Sequence, residues 1–397
     1  MYRNTYLEVN CKKLKNNIIN IIENYPNYSY YFGVVKANAY GHGSYIINSL
    51  IEGGINYLAV SSLEEAIKLR EYNTQIPILV LEPIHLEYLE ECIKNNITIT
   101  IANINYFNEL LKINLSNQLK IHIKLDTGMS RLGITNKEDF DKIISTINTN
   151  SNLFLEGIFT HFATSGINDK HWDNQLNKFK NITQNIDLSK IPIVHLGRSL
   201  TLVNHEKIPF CNGTRLGIAM YGMSQNMPEG TGIRALLRNF KNKRIRKKLN
   251  ISATTTTNNL KLSTAITLFS EVIDIKKIHK NDIVGYGALF TADNDMTIAT
   301  IPIGYADGIP KNLKHVLIND KKYNIVGEMC MDMICVHVDD SVKLYDKVIL
   351  IDDDKLAVKK VASECGISSY SLFTNIGSRV PRVYVDSESN QKVEIKY

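Results

Sequence analysis

The sequence lacks the features that mark exported, membrane-spanning and metal-binding structural proteins. Its six cysteines are scattered without any C-x-x-C spacing, which argues against both a zinc site and a disulfide framework. The first residues, MYRNTYLEVN, contain no apolar segment of a signal peptide, and no stretch approaches the ~18 consecutive apolar residues of a membrane span. We therefore expect a reduced, cytoplasmic protein that binds no metal and no membrane.

Acidic residues are missing from one short stretch that holds eight cations. The formal net charge of +6 becomes −2 without these eight, so the positive charge belongs to this stretch. Residues 226–262 around it show little apolar periodicity and predict a basic, low-complexity insertion or linker. A tether to nucleic acid or to an anionic membrane is the alternative, but we favour a solvated loop without a nucleic-acid partner. The cations are Arg234, Arg238, Lys241, Lys243, Arg244, Arg246, Lys247 and Lys248.

Between residues 28 and 222, short apolar runs alternate with segments whose apolar residues recur at helical spacing, such as LEEAIKLREYN. Eight such units predict an α/β fold, namely a (β/α)8 barrel of the TIM type over residues 10–225. Lys36, Lys124, His161 and Arg215 fall at or just past predicted strand ends, where such a barrel carries its catalytic groups. The predicted strands cover residues 30–36, 57–61, 78–81, 97–101, 120–124, 154–160, 191–195 and 213–218.

Beyond the insertion the pattern changes to successive strand-like segments separated by turn residues, including AITLFSEVIDIKKI and MTIATIPIGYADG. This pattern predicts a second, mainly β domain over residues 263–397. Its last part, from LAVKKVASECG to RVPRVY, is expected to add one or two helices and a final strand. A chain of 397 residues is long enough for two domains, each with its own core.

The stretch VVKANAYGHG places Lys36 where an apolar, β-branched run ends and small residues and glycines turn the backbone toward a helix. An amine held there is a candidate for Schiff-base chemistry with an aldehyde if its surroundings lower its pKa from ~10.4. For Lys36 alone, a solvated strand-end lysine is the simpler interpretation. The stretch as a whole, Val34 to Gly43, resembles the motif that carries the pyridoxal 5'-phosphate lysine of alanine racemases.

Further motifs resemble the same family over almost the whole chain outside the insertion. They are KLDTGMSRLG at 124–133, THFA at 160–163, GRS at 197–199, RLGI at 215–218, VGYGA at 284–288, GYADG at 304–308 and CMD at 330–332. The resemblance implies that Tyr40, Ser199, Gly217 and Ile218 bind the cofactor's phosphate. Arg215 would face the pyridine nitrogen, where a permanent cation disfavours protonation of that nitrogen.

The resemblance also implies the two acid/base groups that racemisation requires on opposite sides of the substrate carbon. Lys36 would serve one side and Tyr286 the other, provided that nearby cations lower the phenol's pKa from ~10. His161 would lie beside the cofactor ring and link Arg215 to Tyr286. Taken alone, Tyr286 would be interpreted as a solvated sheet tyrosine and His161 as a core histidine. The implied reaction interconverts L-alanine and D-alanine. In this family the D-isomer supplies cell-wall precursors.

Further positions are implied around the substrate. Arg131 would lie near the cofactor's phenol oxygen and the substrate carboxylate, and Lys124 matches a lysine that many relatives carry in carbamylated form. In the second domain, Tyr305 would narrow the entrance, and Met331 with Asp332 would lie near the substrate carboxylate. In this family the second domain of one subunit caps the barrel of the other. The resemblance therefore implies a head-to-tail homodimer, and the narrow entrance implies a small amino acid as substrate.

Three positions depart from the family pattern: Arg198 replaces an asparagine, Ser378 replaces a tyrosine common in bacterial members, and Glu328 replaces an arginine. These departures leave open the preference for alanine or serine. A pyridoxal-phosphate amino-acid decarboxylase of the same architecture is the main alternative, but that class typically places an acid at the ring nitrogen, and Arg215 argues against it. A non-enzymatic carrier of the cofactor would leave Tyr286 and the second domain unexplained.

Overall fold

The computed structural model describes residues 3–164, 169–223, 260–386 and 391–395, and its first domain is a closed barrel of parallel strands. The barrel closes because β2 pairs with both β3 and β9. This confirms the predicted (β/α)8 architecture, and every predicted strand overlaps an observed one. After β1 (Tyr6–Asn10), the barrel strands are β2 (Tyr30–Val34), β3 (Tyr57–Val60), β4 (Ile78–Val80), β5 (Ile97–Ile101), β6 (Leu119–Lys124), β7 (Leu153–Phe159), β8 (Ile193–Arg198) and β9 (Gly213–Leu216).

Helices connect successive barrel strands, and some of them begin directly after a capping side chain. Asn10, Ser62, Asn103 and Asn136 each accept a hydrogen bond from a backbone N–H of the turn that follows. The helices are α1 (Cys11–Asn24), α2 (Ile47–Glu52), α3 (Leu63–Arg70), α4 (Leu89–Lys94), α5 (Ile104–Leu110), α6 (Lys137–Thr149), α7 (Asp169–Ile182) and α8 (Ser199–Asn204).

The second domain is mainly β, as the sequence predicts. Its strands are β10 (Ile266–Glu271), β11 (Asp274–Ile278), β12 (Ile283–Val284), β13 (Phe290–Thr291), β14 (Met296–Ile301), β15 (His315–Ile318), β16 (Lys321–Val326), β17 (Ile334–Val338), β18 (Lys347–Ile351), β19 (Arg382–Asp386) and β20 (Gln391–Ile395). Helices α9 (Val358–Glu364) and α10 (Ser369–Asn375) precede β19. Most strands form one sheet with the order β11-β14-β17-β16-β15-β18-β10-β1-β19-β20, whereas β12 and β13 pair with each other as a separate hairpin.

Strand β1 belongs to the second domain although it lies at the start of the chain. It runs antiparallel to β10 and parallel to β19, so that Leu7 lies opposite both Leu268 and Arg382. The barrel domain therefore begins after Asn10, directly with α1. Residues 226–259 of the predicted insertion lie outside the described residues. The predicted bounds of the insertion and of the two domains therefore stay a prediction.

The barrel interior is filled by aromatic and aliphatic side chains with histidines between them. Phe32 and Phe159 stack against His195 with ring centroids 4.5 and 4.7 Å away. Among the described residues, no helix is long and apolar enough to cross a membrane, and no group of three His, Cys, Asp or Glu side chains is placed to hold a metal ion.

Candidate active site

A cavity of about 650 Å³ lies at the ends of the barrel strands. Most of its lining residues occupy the last positions of barrel strands or the loops just after them, and Tyr370 and Thr374 of α10 complete it. The lining carries more cations than acids, so the cavity attracts anionic ligands. The cations are Lys36, Lys124, Arg131, Arg198 and Arg215, and the carboxylate is Glu82.

Lys36 begins a turn whose backbone is left-handed. Residues 37–40 all have φ between 50° and 53°, and the N–H of Gly41 donates to the carbonyl of Ala37 over 3.0 Å. Four successive non-glycine residues in this conformation cost roughly 1–2 kcal/mol each. The sequence predicts a helix after Lys36, but the next right-handed α-helix along the chain starts only at Ile47. Backbone strain of this kind concentrates at functional sites.

Contacts from three other segments hold this strained turn in place. A carboxylate oxygen of Glu65 accepts a hydrogen bond from the N–H of Ala37 at 2.6 Å. Nε of Arg382, which is fully buried, donates to the carbonyl of Gly41 at 3.0 Å. A Cβ at Gly41 would lie 2.1 Å from the carbonyl oxygen of Phe373. The close approach of α10 therefore requires glycine here and fixes the loop that carries Lys36.

Arg215 is buried in β9 and is oriented by backbone carbonyls. Its Nη1 donates to the carbonyl of His195 at 2.7 Å, and its Nη2 donates to those of Thr160 and Leu196 at 2.7 and 3.1 Å. Burial lowers the pKa of Arg215 to about 9, which leaves the guanidinium charged at neutral pH. The structure thus presents a fixed cation to the cavity.

His161 lines the cavity beside this guanidinium, with Nδ1 3.4 Å from Nη2 of Arg215. Burial, followed by the charges of Arg215 and Arg198, lowers the pKa of His161 to about 2. The imidazole is therefore neutral. Because a guanidinium has donors only, Nδ1 of His161 must accept, and its proton lies on Nε2.

Lys124, the last residue of β6, lines the cavity together with Arg131. Burial lowers the pKa of Lys124 to about 8, and the charges of Arg131 and Arg215 act in the same direction. Arg131 lies on a loop that Asp126 shapes by accepting backbone N–H bonds from residues 128–131 at 2.9–3.1 Å. Although partial burial raises it, these donors lower the pKa of Asp126 overall.

One side of the cavity is formed by small donors at the start of α8 and after β9. The hydroxyl of Ser199 accepts a hydrogen bond from the N–H of Gly217 at 2.9 Å, so its own hydrogen can be donated to a ligand. A Cβ at Gly217 would lie 3.1 Å from the hydroxyl of Tyr40, and the rings of Tyr40 and Tyr370 lie 6.0 Å apart. We call these lining residues the Ser199 wall: Tyr40, Arg198, Ser199, Gly217, Ile218 and Tyr370.

The predicted site residues of the second domain do not line the cavity of their own chain. Tyr286 lies between β12 and β13 with 68% of its surface exposed, and Met331 is 52% exposed. The carboxylate of Asp332 is paired with Arg379 at 2.7 Å. Tyr305 is partly exposed beneath the amine of Lys311, which lies 4.5 Å from the ring centroid. A single chain therefore assembles the predicted barrel residues but not Tyr286, Tyr305, Met331 or Asp332.

The sequence did not point to Glu82 or Tyr370, which both line the cavity. Glu82 follows β4 by two residues, so its position after a barrel strand could have identified it. Tyr370 lies in a polar stretch that offers no such signal. Ser378 stands where many family members have a tyrosine, and residue 378 does not line the cavity. In this chain a different tyrosine, Tyr370 of α10, lines the Ser199 wall.

Comparison with known proteins gives a consistent result. The family models for the alanine racemase N-terminal and C-terminal domains match residues 9–225 and 265–384. Alanine racemase 1 of Bacillus subtilis is 31% identical over 399 residues, which cover 99% of this chain and 96% of that protein. The structure of alanine racemase from Bacillus anthracis with bound L-Ala-P superposes with a TM-score of 0.85 at 31% identity, covering 100% and 98% of the two chains. A histidine racemase from Leuconostoc mesenteroides superposes with a TM-score of 0.82 at 27% identity, covering 97% and 99%.

Proposed function

The chain belongs to the alanine racemase family, and from this premise we propose that it interconverts L-alanine and D-alanine with pyridoxal 5'-phosphate as its cofactor. The observation that carries the proposal is the cavity at the barrel mouth, because Lys36, Arg215 and the Ser199 wall all line it. The histidine racemase with a similar fold makes the choice of amino acid a matter for direct measurement.

The residues of the cavity fit the three chemical features of this cofactor. Lys36 offers an amine for the aldehyde. Arg215 offers a buried, oriented cation for the pyridine nitrogen. The Ser199 wall offers hydroxyl groups for the phosphate, and the excess of cations over acids suits a dianionic ligand. The cofactor assignment is our proposal, and it rests on this match of donors and charges.

When bound, the cofactor supplies an electron sink that acidifies the hydrogen on the substrate's α-carbon. Lys36 would move the proton on one side of that carbon and Tyr286 on the other, so that the configuration can invert. Arg215 would keep a positive charge at the ring nitrogen and so disfavour its protonation. By keeping that nitrogen unprotonated, Arg215 would limit side reactions such as transamination. Neutral His161, which accepts from Arg215 at Nδ1, would link Arg215 to Tyr286.

A second copy of the chain would supply Tyr286. The hairpin of β12 and β13 exposes large apolar side chains around Tyr286, since Ile283 and Leu289 are 61% and 73% exposed. Met331 and Met333 of the same domain are also exposed, and exposed apolar side chains in such numbers are typical of a protein interface. We propose a head-to-tail homodimer in which this surface covers the partner's cavity, bringing Tyr305, Met331 and Asp332 to its mouth.

One further cation of the cavity would bind the substrate carboxylate. Arg131 is the proposed contact, since a guanidinium can hold a carboxylate by two parallel hydrogen bonds. The lowered pKa of Lys124 favours the neutral amine, the form that reacts with carbon dioxide. We propose that Lys124 is carbamylated and that the resulting anion orients Arg131. Tyr305, which the second copy of the chain would bring to the mouth of the cavity, would limit the substrate to an amino acid with a small side chain.

Incubation of the purified protein with single L-amino acids tests the proposed function. We expect loss of optical rotation with L-alanine, slower loss with L-serine, the slowest loss with the larger L-histidine, and no change with the Lys36→Ala variant. Carbon dioxide released by each sample would be measured in parallel. Release from a basic amino acid without loss of optical rotation from alanine would reverse the assignment in favour of a decarboxylase.

A further inference from the structure

Arg198 is a cation in a wall that otherwise consists of neutral groups. It is the last residue of β8 and lies opposite Arg215 across the pairing of β8 with β9. Its side chain is only partly exposed and lines the cavity next to Ser199. Burial lowers the pKa of Arg198, while the phenol groups of Tyr370 and Tyr40 act electrostatically in the opposite direction.

The neighbours of Arg198 in the Ser199 wall can donate hydrogen bonds but bring no charge. Burial raises the pKa of Tyr40, so its phenol keeps its proton at neutral pH. Ser199 accepts from the N–H of Gly217 and can donate its own hydrogen. An anion at this wall would therefore meet several neutral donors and one guanidinium, which forms shorter and stronger hydrogen bonds to oxyanions than neutral donors do.

The charge of Arg198 is also unfavourable toward other groups of the cavity. It lowers the pKa of His161 and of Arg215, because like charges repel across this poorly solvated space. A bound dianion would offset that repulsion. The same wall holds the donors proposed for the cofactor's phosphate, so one ligand group satisfies both the hydroxyl donors and the cation.

We propose that Arg198 is a binding residue for a phosphate monoester dianion and gives this chain a charged contact to the phosphate of its cofactor. The inference rests on the proposed function, since it takes the phosphate of pyridoxal 5'-phosphate as the ligand. It goes beyond the resemblance, which implies an asparagine at this position and assigns the phosphate to Tyr40, Ser199, Gly217 and Ile218.

Titration of the cofactor-free dimer with pyridoxal 5'-phosphate and with pyridoxal, which lacks the phosphate, tests this contact. Both would be followed by the absorbance of the amine-bound cofactor. We expect Arg198→Asn to raise the dissociation constant of pyridoxal 5'-phosphate by about 10- to 100-fold, as for loss of a hydrogen bond to a charged group. The dissociation constant of pyridoxal should change by less than about threefold. Arg198→Lys should fall between Arg198→Asn and the unmodified protein.

Lys190→Gln is the matched control, because Lys190 is an exposed cation before β8 and does not line the cavity. It should bind both compounds like the unmodified protein. Inorganic phosphate should compete with pyridoxal 5'-phosphate more weakly in Arg198→Asn than in the control. Equal losses for the two compounds in Arg198→Asn, or no loss for either, would overturn the role of Arg198. Failure of the unmodified protein to bind pyridoxal 5'-phosphate at all would instead overturn the proposed function.

Discussion

Nη1 of Arg215 donates a hydrogen bond to Nδ1 of His195 over 2.7 Å in the interior of the barrel. Because Nδ1 accepts, the proton of the neutral His195 lies on Nε2, which is 2.9 Å from Nδ1 of His122. The same argument places the proton of His122 on Nε2, which faces a carboxylate oxygen of Glu156 at 3.2 Å. Two hydrogen-bonded imidazoles thus connect the cation of Arg215 to a carboxylate deeper in the barrel, and the core sets the orientation of Arg215.

Replacement of Arg215 by an acid should change the balance between racemisation and side reactions. In Arg215→Glu, a carboxylate would favour protonation of the ring nitrogen and strengthen the electron sink. We expect turnover of L-alanine to D-alanine to fall by at least about tenfold. Pyruvate formed by transamination should rise relative to racemisation, measured in the same assay. Arg215→Lys keeps the charge and should keep the original ratio. An unchanged ratio in Arg215→Glu would remove Arg215 from its proposed place.

A hybrid dimer can establish whether Tyr286 acts in its own chain or in its partner. Lys36→Ala and Tyr286→Phe chains, carrying different affinity tags, would be co-expressed and the hybrid purified. If each site combines Lys36 of one chain with Tyr286 of the other, one of the two sites is intact and the hybrid retains about half of the normal turnover. Each parent homodimer should be strongly impaired. An inactive hybrid of intact dimeric mass would contradict the exchange of Tyr286 between subunits.

Carbamylation of Lys124 should be detectable near neutral pH. With its pKa lowered to about 8, roughly one in ten Lys124 amines is neutral at about pH 7, against roughly one in 3,000 for a solvated lysine. The amine nitrogen bonds to the carbon of carbon dioxide and loses a proton, which gives an anion beside Arg131. Isotopically labelled bicarbonate should therefore yield a carbamate signal by NMR. The signal should be absent from Lys124→Met, and its persistence there would assign it to another lysine.

The left-handed turn after Lys36 should become more stable when a glycine enters it. Ala37 has φ 53° and ψ 54°, so Ala37→Gly relieves steric strain, and we expect the free energy of unfolding to rise by roughly 0.5–1 kcal/mol in chemical denaturation. Ala66→Gly, in the right-handed helix α3, is the matched control. There the free energy of unfolding should fall by about 1 kcal/mol. A decrease for both variants would show that the turn is not strained.

The sequence could predict the barrel strands because parallel strands are buried on both faces and appear as apolar runs, as at residues 97–101, which match β5 at both ends. It could not assign β1 to the second domain, since the partners Leu268 and Arg382 are more than 250 residues away from Leu7. The left-handed turn was hidden because its residues are not glycines. Tyr286 was predicted from its motif, but within a single chain it does not line the cavity that holds Lys36.

His42 links the stability of the Lys36 turn to pH. Its fully buried ring lies beneath this turn, with Nδ1 3.1 and 3.0 Å from the carbonyls of Ala39 and Tyr40. Burial lowers the pKa of His42 to about 4, although the two carbonyls act in the opposite direction. The unfolded chain, with a pKa near ~6.5 for this residue, therefore binds the proton more readily than the folded chain does.

This difference predicts an acid-sensitive fold. The contribution of neutral His42 is fully present above about pH 6.5, declines as the pH falls, and is lost through about pH 4, for a total of about 3 kcal/mol. Denaturation measured at several pH values should show a smaller acid-induced loss in His42→Gln, which can still donate to the carbonyls but cannot be protonated. The same replacement at the exposed His279 controls for the loss of a histidine elsewhere. Equal acid-induced losses in His42→Gln and the unmodified protein would mean that the other buried histidines account for the acid sensitivity.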